Sequence, residues 1–371
     1  MTLITIDGPP GTGKTRRIIQ VAENWEKDSA VLTYTNDAAA VVRSRAPDLT
    51  AGTIYSLSWP HVSSFAKGTK MLGSTVNVSY GQRKIHHLFD PALVQYEMDA
   101  PSNCPPSRQD GMAKSLHAWS AGDPPFDLWN ETPKGLLKYT LPLARWVEAG
   151  CPLVEGKPTF KRIAIDEAQD MSWLELRACL GLLKEGGEAT AYGDPGQSIF
   201  ATSKGMTGGS LPPVWASADE KEVMNKGYRV GDPVASVASR VLSSYYKRPS
   251  STFKAEHVTD ILTWNHTNRP FKGLVLGYSR RAVAKAFRNW NLSQTGVVPN
   301  VAQADEELVL ATGHAAKGAE ADDVYLLPWS RQAIKRLEAK DTETIRLLYV
   351  MLTRARRRVH IPITLKARLP Q

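Results

Sequence analysis

The stretch Gly8-Pro-Pro-Gly-Thr-Gly-Lys-Thr15 constrains the fold of this chain more than any other. Ahead of it, residues 3–6 read as a short buried strand. Behind it, Ile18, Ile19, Val21 and Ala22 fall at helical spacing. A glycine-rich turn between strand and helix lets backbone N–H groups point inward at the helix N-terminus, where those donors and the helix dipole hold an anion. The spacing Gly-x4-Gly-Lys-Thr is that of a phosphate-binding loop. Gly8, Pro9, Pro10, Gly11, Thr12 and Gly13 form the cradle, Lys14 can reach β- and γ-phosphates, and the Thr15 hydroxyl can ligate Mg²⁺.

Such a loop needs an acidic partner. The apolar run 162–165 ends in Asp166-Glu167. Asp166 can hold Mg²⁺ directly or through water. Glu167 can polarise an attacking water as general base. A further run, 189–192, leads into Gly193-Asp-Pro-Gly-Gln197. Gln197 can hydrogen-bond a γ-phosphate or the attacking water, while the four residues before it equally suit a tight turn. Asn225-Lys226-Gly227 continues to Tyr228 rather than Asp, so a guanine-recognition motif is missing and ATP is favoured over GTP.

Apolar runs carrying functional residues at their C-terminal ends, separated by helical segments, indicate an α/β fold with parallel sheets. Residues 30–34 add another strand. A second α/β pattern begins near Val223, with strands expected at 274–277, 308–311, 324–327 and 359–362, and helices at 282–290 and 331–340. Residues 56–155 read differently, rich in proline and poor in strand signals, and are expected to form a partly helical insertion. The expected organisation is a first domain of 1–55 and 156–225, an inserted subdomain of 56–155, and a second domain of 226–371.

No run of eighteen apolar residues exists, so no membrane-spanning helix is expected, and the N-terminus lacks a basic, apolar leader. Cys104, Cys151 and Cys179 form neither a disulfide framework nor a zinc cluster, and they suit a reducing cytoplasm. His61, His86, His87 and His117 match no zinc spacing. From Lys226 onward there are 24 Lys and Arg against 12 Asp and Glu, while residues 1–225 hold 22 against 25. The basic half favours a polyanionic partner.

The blocks at 8–15, Asp166-Glu-Ala-Gln-Asp170 and Gly193-Asp-Pro-Gly-Gln-Ser-Ile-Phe200 together resemble motifs of UvrD/Rep-like (PcrA-like) superfamily 1 helicases. Further blocks agree in order: Thr33-Tyr-Thr-Asn-Asp-Ala-Ala39, Thr53-Ile-Tyr-Ser-Leu57, Asn225-Lys-Gly-Tyr-Arg229, Thr312-Gly-His-Ala-Ala-Lys-Gly-Ala-Glu320 and Leu348-Tyr-Val-Met-Leu-Thr-Arg-Ala355. The resemblance implies tandem RecA-like P-loop NTPase domains with ATP and Mg²⁺ in the cleft between them. It implies 3′→5′ movement on single-stranded DNA. Arg229 and Arg354 become arginine fingers toward the γ-phosphate. Tyr228 would stack on adenine, and Glu320 would bond the ribose or couple it to DNA. Tyr34 takes the position of a base-stacking aromatic. Thr35, Asn36, Thr53, Tyr55, Phe200 and His314 are the remaining candidate nucleic-acid contacts. Implied partners are single-stranded DNA and single/double-strand junctions, with replication or repair proteins, for a chain that is a monomer in isolation. A translocase that does not unwind duplex and an RNA-directed helicase are the alternatives.

Three departures from the family pattern stand out. Only seven residues precede Gly8, too few for the upstream glutamine motif that reads adenine. Base selectivity is then loose, or falls to Arg16, Tyr228 or the insertion. Thr202 stands where the family carries a stacking aromatic. Between Ser279 and Thr312 there is too little chain for the family's large mobile subdomain.

Overall fold

The computed structural model describes residues 1–25, 28–34, 36–66, 140–199, 212–243, 254–255, 258–292, 301–305 and 308–369. Most of the expected insertion, residues 67–139 with His86, His87, Cys104 and His117, lies outside them, as do Thr35, Phe200 and Thr202. The chain divides into two compact units. One comprises residues 1–5, 18–191 and 200–220. The other comprises residues 6–17, 192–199 and 221–371.

Six strands, β1 (Thr2–Asp7), β2 (Ser29–Thr33), β3 (Thr50–Thr53), β4 (Phe160–Ile165), β5 (Leu183–Gly193) and β6 (Glu220–Val223), form a sheet of order β3-β2-β4-β5-β1-β6. The pairs β2–β3, β2–β4 and β4–β5 are parallel. All five residues of β2 are buried, as befits a parallel strand covered on both faces. The helices of the first unit include α2 (Asn36–Arg45), α3 (Ile54–Val62), α4 (Thr140–Glu148) and α5 (Trp173–Gly181). α5 starts with a capping box: the Ser172 hydroxyl accepts from the Glu175 N–H, and the Glu175 carboxylate accepts from the Ser172 N–H.

The ends of the 56–155 segment are built into this unit's core. α3 and α4 pack on each other, and Leu143, Trp146, Ile163, Ile165 and Leu174 share one apolar cluster. His61 on α3 is fully buried. Its Nδ1 accepts from the Val154 N–H at 3.0 Å, so Nε2 carries the proton and donates to the Pro158 carbonyl at 2.8 Å. The ring stacks on Trp146 with centroids 6.2 Å apart.

The second unit holds a seven-stranded sheet of order β12-β13-β11-β14-β15-β10-β8. Its strands are β8 (Asp232–Pro233), β10 (Val258–Trp264), β11 (Gly273–Gly277), β12 (Val301–Asp305), β13 (Leu308–Thr312), β14 (Ala321–Leu326) and β15 (Ala355–Pro362). Every adjacent pair is parallel except the hairpin β12–β13. A small parallel pair joins β7 (Lys226–Gly227) to β9 (Lys254–Ala255). The helices α6 (Val234–Leu242), α7 (Arg280–Asn289), α8 (Arg331–Glu338) and α9 (Thr342–Leu352) accompany the sheet. α7 lays Val283, Ala286 and Phe287 on a cluster with Val275, Leu308 and Leu310. Its opposite face carries the arginines, which is the amphipathic split a surface helix requires. Both units are α/β with parallel strands, as the apolar runs led one to expect.

The stretch 346–361 turns out to be two elements. α9 runs to Leu352, Thr353 and Arg354 make the junction, and β15 follows. Arg356 and Arg358, near the start of β15, are ion-paired. Arg356 meets Asp322 at 3.3 Å, and Arg358 grips both Asp323 oxygens, Nε at 2.5 Å and Nη2 at 2.8 Å. Burial pushes the Asp323 carboxyl up, but hydrogen bonds and charge from Arg358 and His360 outweigh it and hold it below its ordinary value. Burial raises the Cys151 thiol to about 11 and the Cys179 thiol to about 12, so both stay protonated near neutral pH. Among the described residues no helix is long and apolar enough to cross a membrane. Among them too, no group of three or more His, Cys, Asp or Glu could hold a metal ion.

Candidate functional site

The phosphate loop belongs to the second unit. β1 ends at Asp7, and the Gly8 N–H donates to the Gly193 carbonyl at 2.8 Å. Gly11 and Gly13 take φ of +76° and +81°, a region open to glycine at no steric cost. A Cβ on Gly11 would lie 2.3 Å from Arg229 Cβ, so the close approach of the two segments depends on glycine there. A Cβ on Gly13 would meet nothing within 4 Å, leaving room beside the turn. Helix α1 (Lys14–Ala22) starts immediately after, and the first N–H groups of any helix have no acceptor within it. Lys14 is buried, with Nζ donating to the Gly8 carbonyl at 2.8 Å. An ammonium has three donors, so this contact aims Lys14 over the loop without using it up. Backbone donors, one lysine and open space fit a polyphosphate, and the Thr15 hydroxyl fits a Mg²⁺ ligand.

Tyr228 and Arg229 abut the loop. The Tyr228 N–H donates to the Gly11 carbonyl at 2.8 Å. The Tyr228 ring is 56% exposed, with Lys226 Nζ 5.2 Å from its centroid. Exposure of that size leaves the ring available for stacking rather than for packing a core. Arg229 Nη1 lies 2.8 Å from Glu320 Oε2. The sequence named both residues but not their pairing.

Gln197 and Arg354 also meet in this unit. Arg354 Nη2 donates to Gln197 Oε1 at 2.9 Å, and its Nε donates to the Val350 carbonyl at 3.0 Å. Gln197 Nε2 donates to Asp194 Oδ2 at 2.9 Å, and the Tyr349 hydroxyl donates to the same oxygen at 2.8 Å. Lys317 Nζ donates to the Gln197 carbonyl at 3.1 Å. Asp194, Gln197, Tyr349 and Arg354 are all buried. Asp194 does make the tight turn, capping residues 195–197 through the Gly196 N–H at 2.9 Å. Gln197 is itself part of that turn. Asp194 and Tyr349 had no role in the sequence reading, although both lie inside blocks that the sequence singled out.

The acidic pair belongs to the first unit. Asp166 follows β4, and its Oδ1 accepts from the Glu167 N–H at 2.9 Å. Glu167 takes φ +54°, a left-handed conformation that costs a non-glycine residue on the order of 1 kcal/mol. Its Oε2 accepts from Gln169 Nε2 at 2.5 Å. Both carboxylates are thus oriented by their neighbours.

The candidate nucleic-acid contacts divide. Tyr34, just past β2, is 41% exposed, and Asn36 is exposed at the start of α2. Thr53 caps α3, its hydroxyl accepting from the Ser56 N–H at 3.3 Å. The Tyr55 hydroxyl donates to Glu175 at 3.3 Å, and its ring packs on the core. His314, in the second unit, has Nε2 3.8 Å from Glu343. Arg16 is exposed on α1.

The AAA_19 family model, an AAA domain, matches residues 1–203. That span holds Lys14, Asp166, Glu167 and Gln197 and ends before Arg229 and Arg354. Solved structures similar to the chain include arterivirus nonstructural protein 10 (helicase), at 13% identity over 100% of this chain and 62% of that one, with a TM-score of 0.47. A complex of arterivirus nonstructural protein 10 (helicase) with DNA gives 13% identity over 97% and 60%, with a TM-score of 0.45. The PRRSV helicase gives 15% over 99% and 54%, with a TM-score of 0.46. The chain spans roughly three fifths of the length of these solved chains. No curated protein matches it.

Proposed function

Because the chain belongs to the AAA domain family AAA_19, a P-loop helicase-type family, we propose that it is an ATP-driven motor moving 3′→5′ on single-stranded DNA. The observation that carries this reading is the company kept by the phosphate loop. One compact unit gathers residues 8–15, Arg229 against Gly11, and the Gln197–Arg354 contact. A phosphate loop alone serves many chemistries. A loop with a glutamine and two arginines is equipped to hydrolyse a triphosphate and to sense its γ-phosphate.

In this reading Lys14 and the loop's N–H groups bind the phosphates. Thr15 and Asp166 hold Mg²⁺, which neutralises charge on the β- and γ-oxygens when bound. Glu167 accepts a proton from the attacking water, and Gln197 orients that water or the γ-phosphate. Arg229 and Arg354 offset charge on the transferring group. As Arg229 turns to the nucleotide it leaves Glu320, which becomes available to the ribose or to coupling with DNA. Tyr228 stacks on adenine, and Tyr34 on a base of the strand. The organisation proposed is two RecA-like domains, 1–55 with 156–225 and 226–371, the first carrying 56–155.

A translocase that strips proteins without separating duplex is the second reading, and one observation favours it. Residues 280–312 hold only α7 and the hairpin β12–β13 besides 293–300 and 306–307, which lie outside the described residues. A ring of tailed substrates separates the readings. Strand displacement needing a 3′ tail supports the helicase, and protein displacement without duplex separation supports the translocase. Equal displacement from a 5′ tail refutes the polarity, and preferential stimulation by RNA refutes DNA as the track.

A further inference from the structure

A carboxylate and a phenol, Asp194 and Tyr349, contact Gln197 or its partner and have no part in the hydrolysis scheme above. We propose that Asp194 and Tyr349 are positioning residues that fix the orientation of the Gln197 side-chain amide and, through it, the docking of Arg354. The proposal rests on the nucleotide-hydrolase reading of the same site.

An amide has two unlike ends, and here the chemistry of its neighbours decides which faces which. A carboxylate such as Asp194 accepts, so the Gln197 NH₂ must face it. A guanidinium only donates, so Gln197 Oε1 must face Arg354. Turning the amide over would set NH₂ against guanidinium and oxygen against carboxylate. Asp194 is itself held at both oxygens: Oδ1 by the Gly196 N–H at 2.9 Å, Oδ2 by the Tyr349 hydroxyl at 2.8 Å. The Gln197 backbone is pinned as well, its N–H on the Asp194 carbonyl at 2.8 Å and its carbonyl under Lys317. Gly196 lets the Tyr349 ring close on the turn: a Cβ there would lie 3.1 Å from Tyr349 Cε1 and 2.6 Å from Leu242 Cδ1. Asp194 and Tyr349 are wholly buried, where a lost partner is not replaced by bulk water. Removing the Tyr349 hydroxyl takes one of its donors from Asp194 Oδ2, loosens the carboxylate that orients the Gln197 amide, and with it the acceptor on which Arg354 docks. The hydroxyl therefore acts on turnover through Asp194 and Gln197, from a wholly buried position.

A double-mutant cycle tests this on the full chain. Steady-state ATP hydrolysis with saturating single-stranded DNA is compared for wild type, Tyr349→Phe, Gln197→Ala and the double variant. Asp194→Asn, isosteric with the native residue, stands in should the phenylalanine variant misfold. Tyr349→Phe is expected to lower kcat about tenfold, the size of one buried hydrogen bond, with KM within about twofold. The double variant is expected to be no slower than Gln197→Ala. Wild-type kcat in Tyr349→Phe, or losses that multiply in the double variant, overturns the proposal. A binding arm reads the same idea without turnover: calorimetric affinities for ADP and for a non-hydrolysable ATP analogue. Tyr349→Phe should shrink the preference for the triphosphate and leave ADP affinity unchanged. If the wild type hydrolyses nothing, the hydrolase reading fails, and the binding arm still decides. An unchanged preference, or no nucleotide binding at all, overturns the positioning role.

Discussion

Arg354 is nearly out of solvent, with its guanidinium donating to Gln197 Oε1, the Val350 carbonyl and, at 3.4 Å, the Thr353 hydroxyl. A planar fork held this way is already aimed before any anion arrives, which is what a transition-state cation requires. Arg354→Ala is expected to lower the hydrolysis rate by about a thousandfold or more while nucleotide affinity changes only a few-fold. Arg354→Lys should not rescue it, since an ammonium cannot reproduce the fork. Single-turnover rates beside equilibrium binding check both. His61 is the structural counterpart in the first unit. Both its ring nitrogens are used, one as acceptor from Val154 and one as donor to Pro158. His61→Ala empties a fully buried site and removes both hydrogen bonds to the backbone, and is expected to cost about 2–3 kcal/mol, read as an earlier denaturant midpoint at unchanged slope. A shift within error would show that the backbone finds other partners.

At the scale of elements, the parallel pairing of β14 with β15 sets Asp323 opposite Arg358. Asp323 is held below its ordinary carboxylate value in the folded chain. A depressed carboxylate contributes stability above its unfolded value, and that contribution is lost as pH falls through the folded one. Asp323→Asn should therefore lower the Tm at neutral pH, and the gap to wild type should close as pH drops below about 4. A gap that stays constant with pH would mean the loss is one of packing. Elements also show what the sequence displayed and what it hid. Strands such as β2 and β11 were legible because parallel strands buried on both faces read as unbroken apolar runs. α9 was hidden for the opposite reason. Every residue from Thr344 to Leu352 is buried, so no polar face marks the helical period. β3, with the sequence TAGT, offers no bulky apolar residue to signal a strand. β10 is half-exposed along most of its length, which blurs its alternation.

At the scale of the whole molecule, the phosphate loop and the acidic pair stood out in the sequence because local backbone chemistry fixes their residue types and spacing, whereas Arg229 and Arg354 were singled out only through the family resemblance. Tertiary partners were not legible in it. Asp194 and Tyr349 are 155 positions apart, and only folding puts one hydroxyl on one carboxylate. The same holds for Arg229 and Glu320, 91 positions apart. Charge is the other whole-molecule property: residues from 226 onward carry 24 basic against 12 acidic side chains. If these residues bind a phosphate backbone, DNA-stimulated hydrolysis should need more DNA as salt rises, with half-saturation climbing steeply between about 50 and 200 mM. Salt-independent half-saturation would argue that the basic half is a solubility feature alone. The central claim is that the loop at residues 8–15 powers a motor on nucleic acid. Hydrolysis of ATP by the full chain, with and without single-stranded DNA, tests it most directly, beside Lys14→Ala and Glu167→Gln. The expected result is hydrolysis strongly stimulated by single-stranded DNA in the wild type and lost in both variants, with the Glu167→Gln chain still binding nucleotide. Hydrolysis that ignores nucleic acid, or that survives in Lys14→Ala, would contradict it.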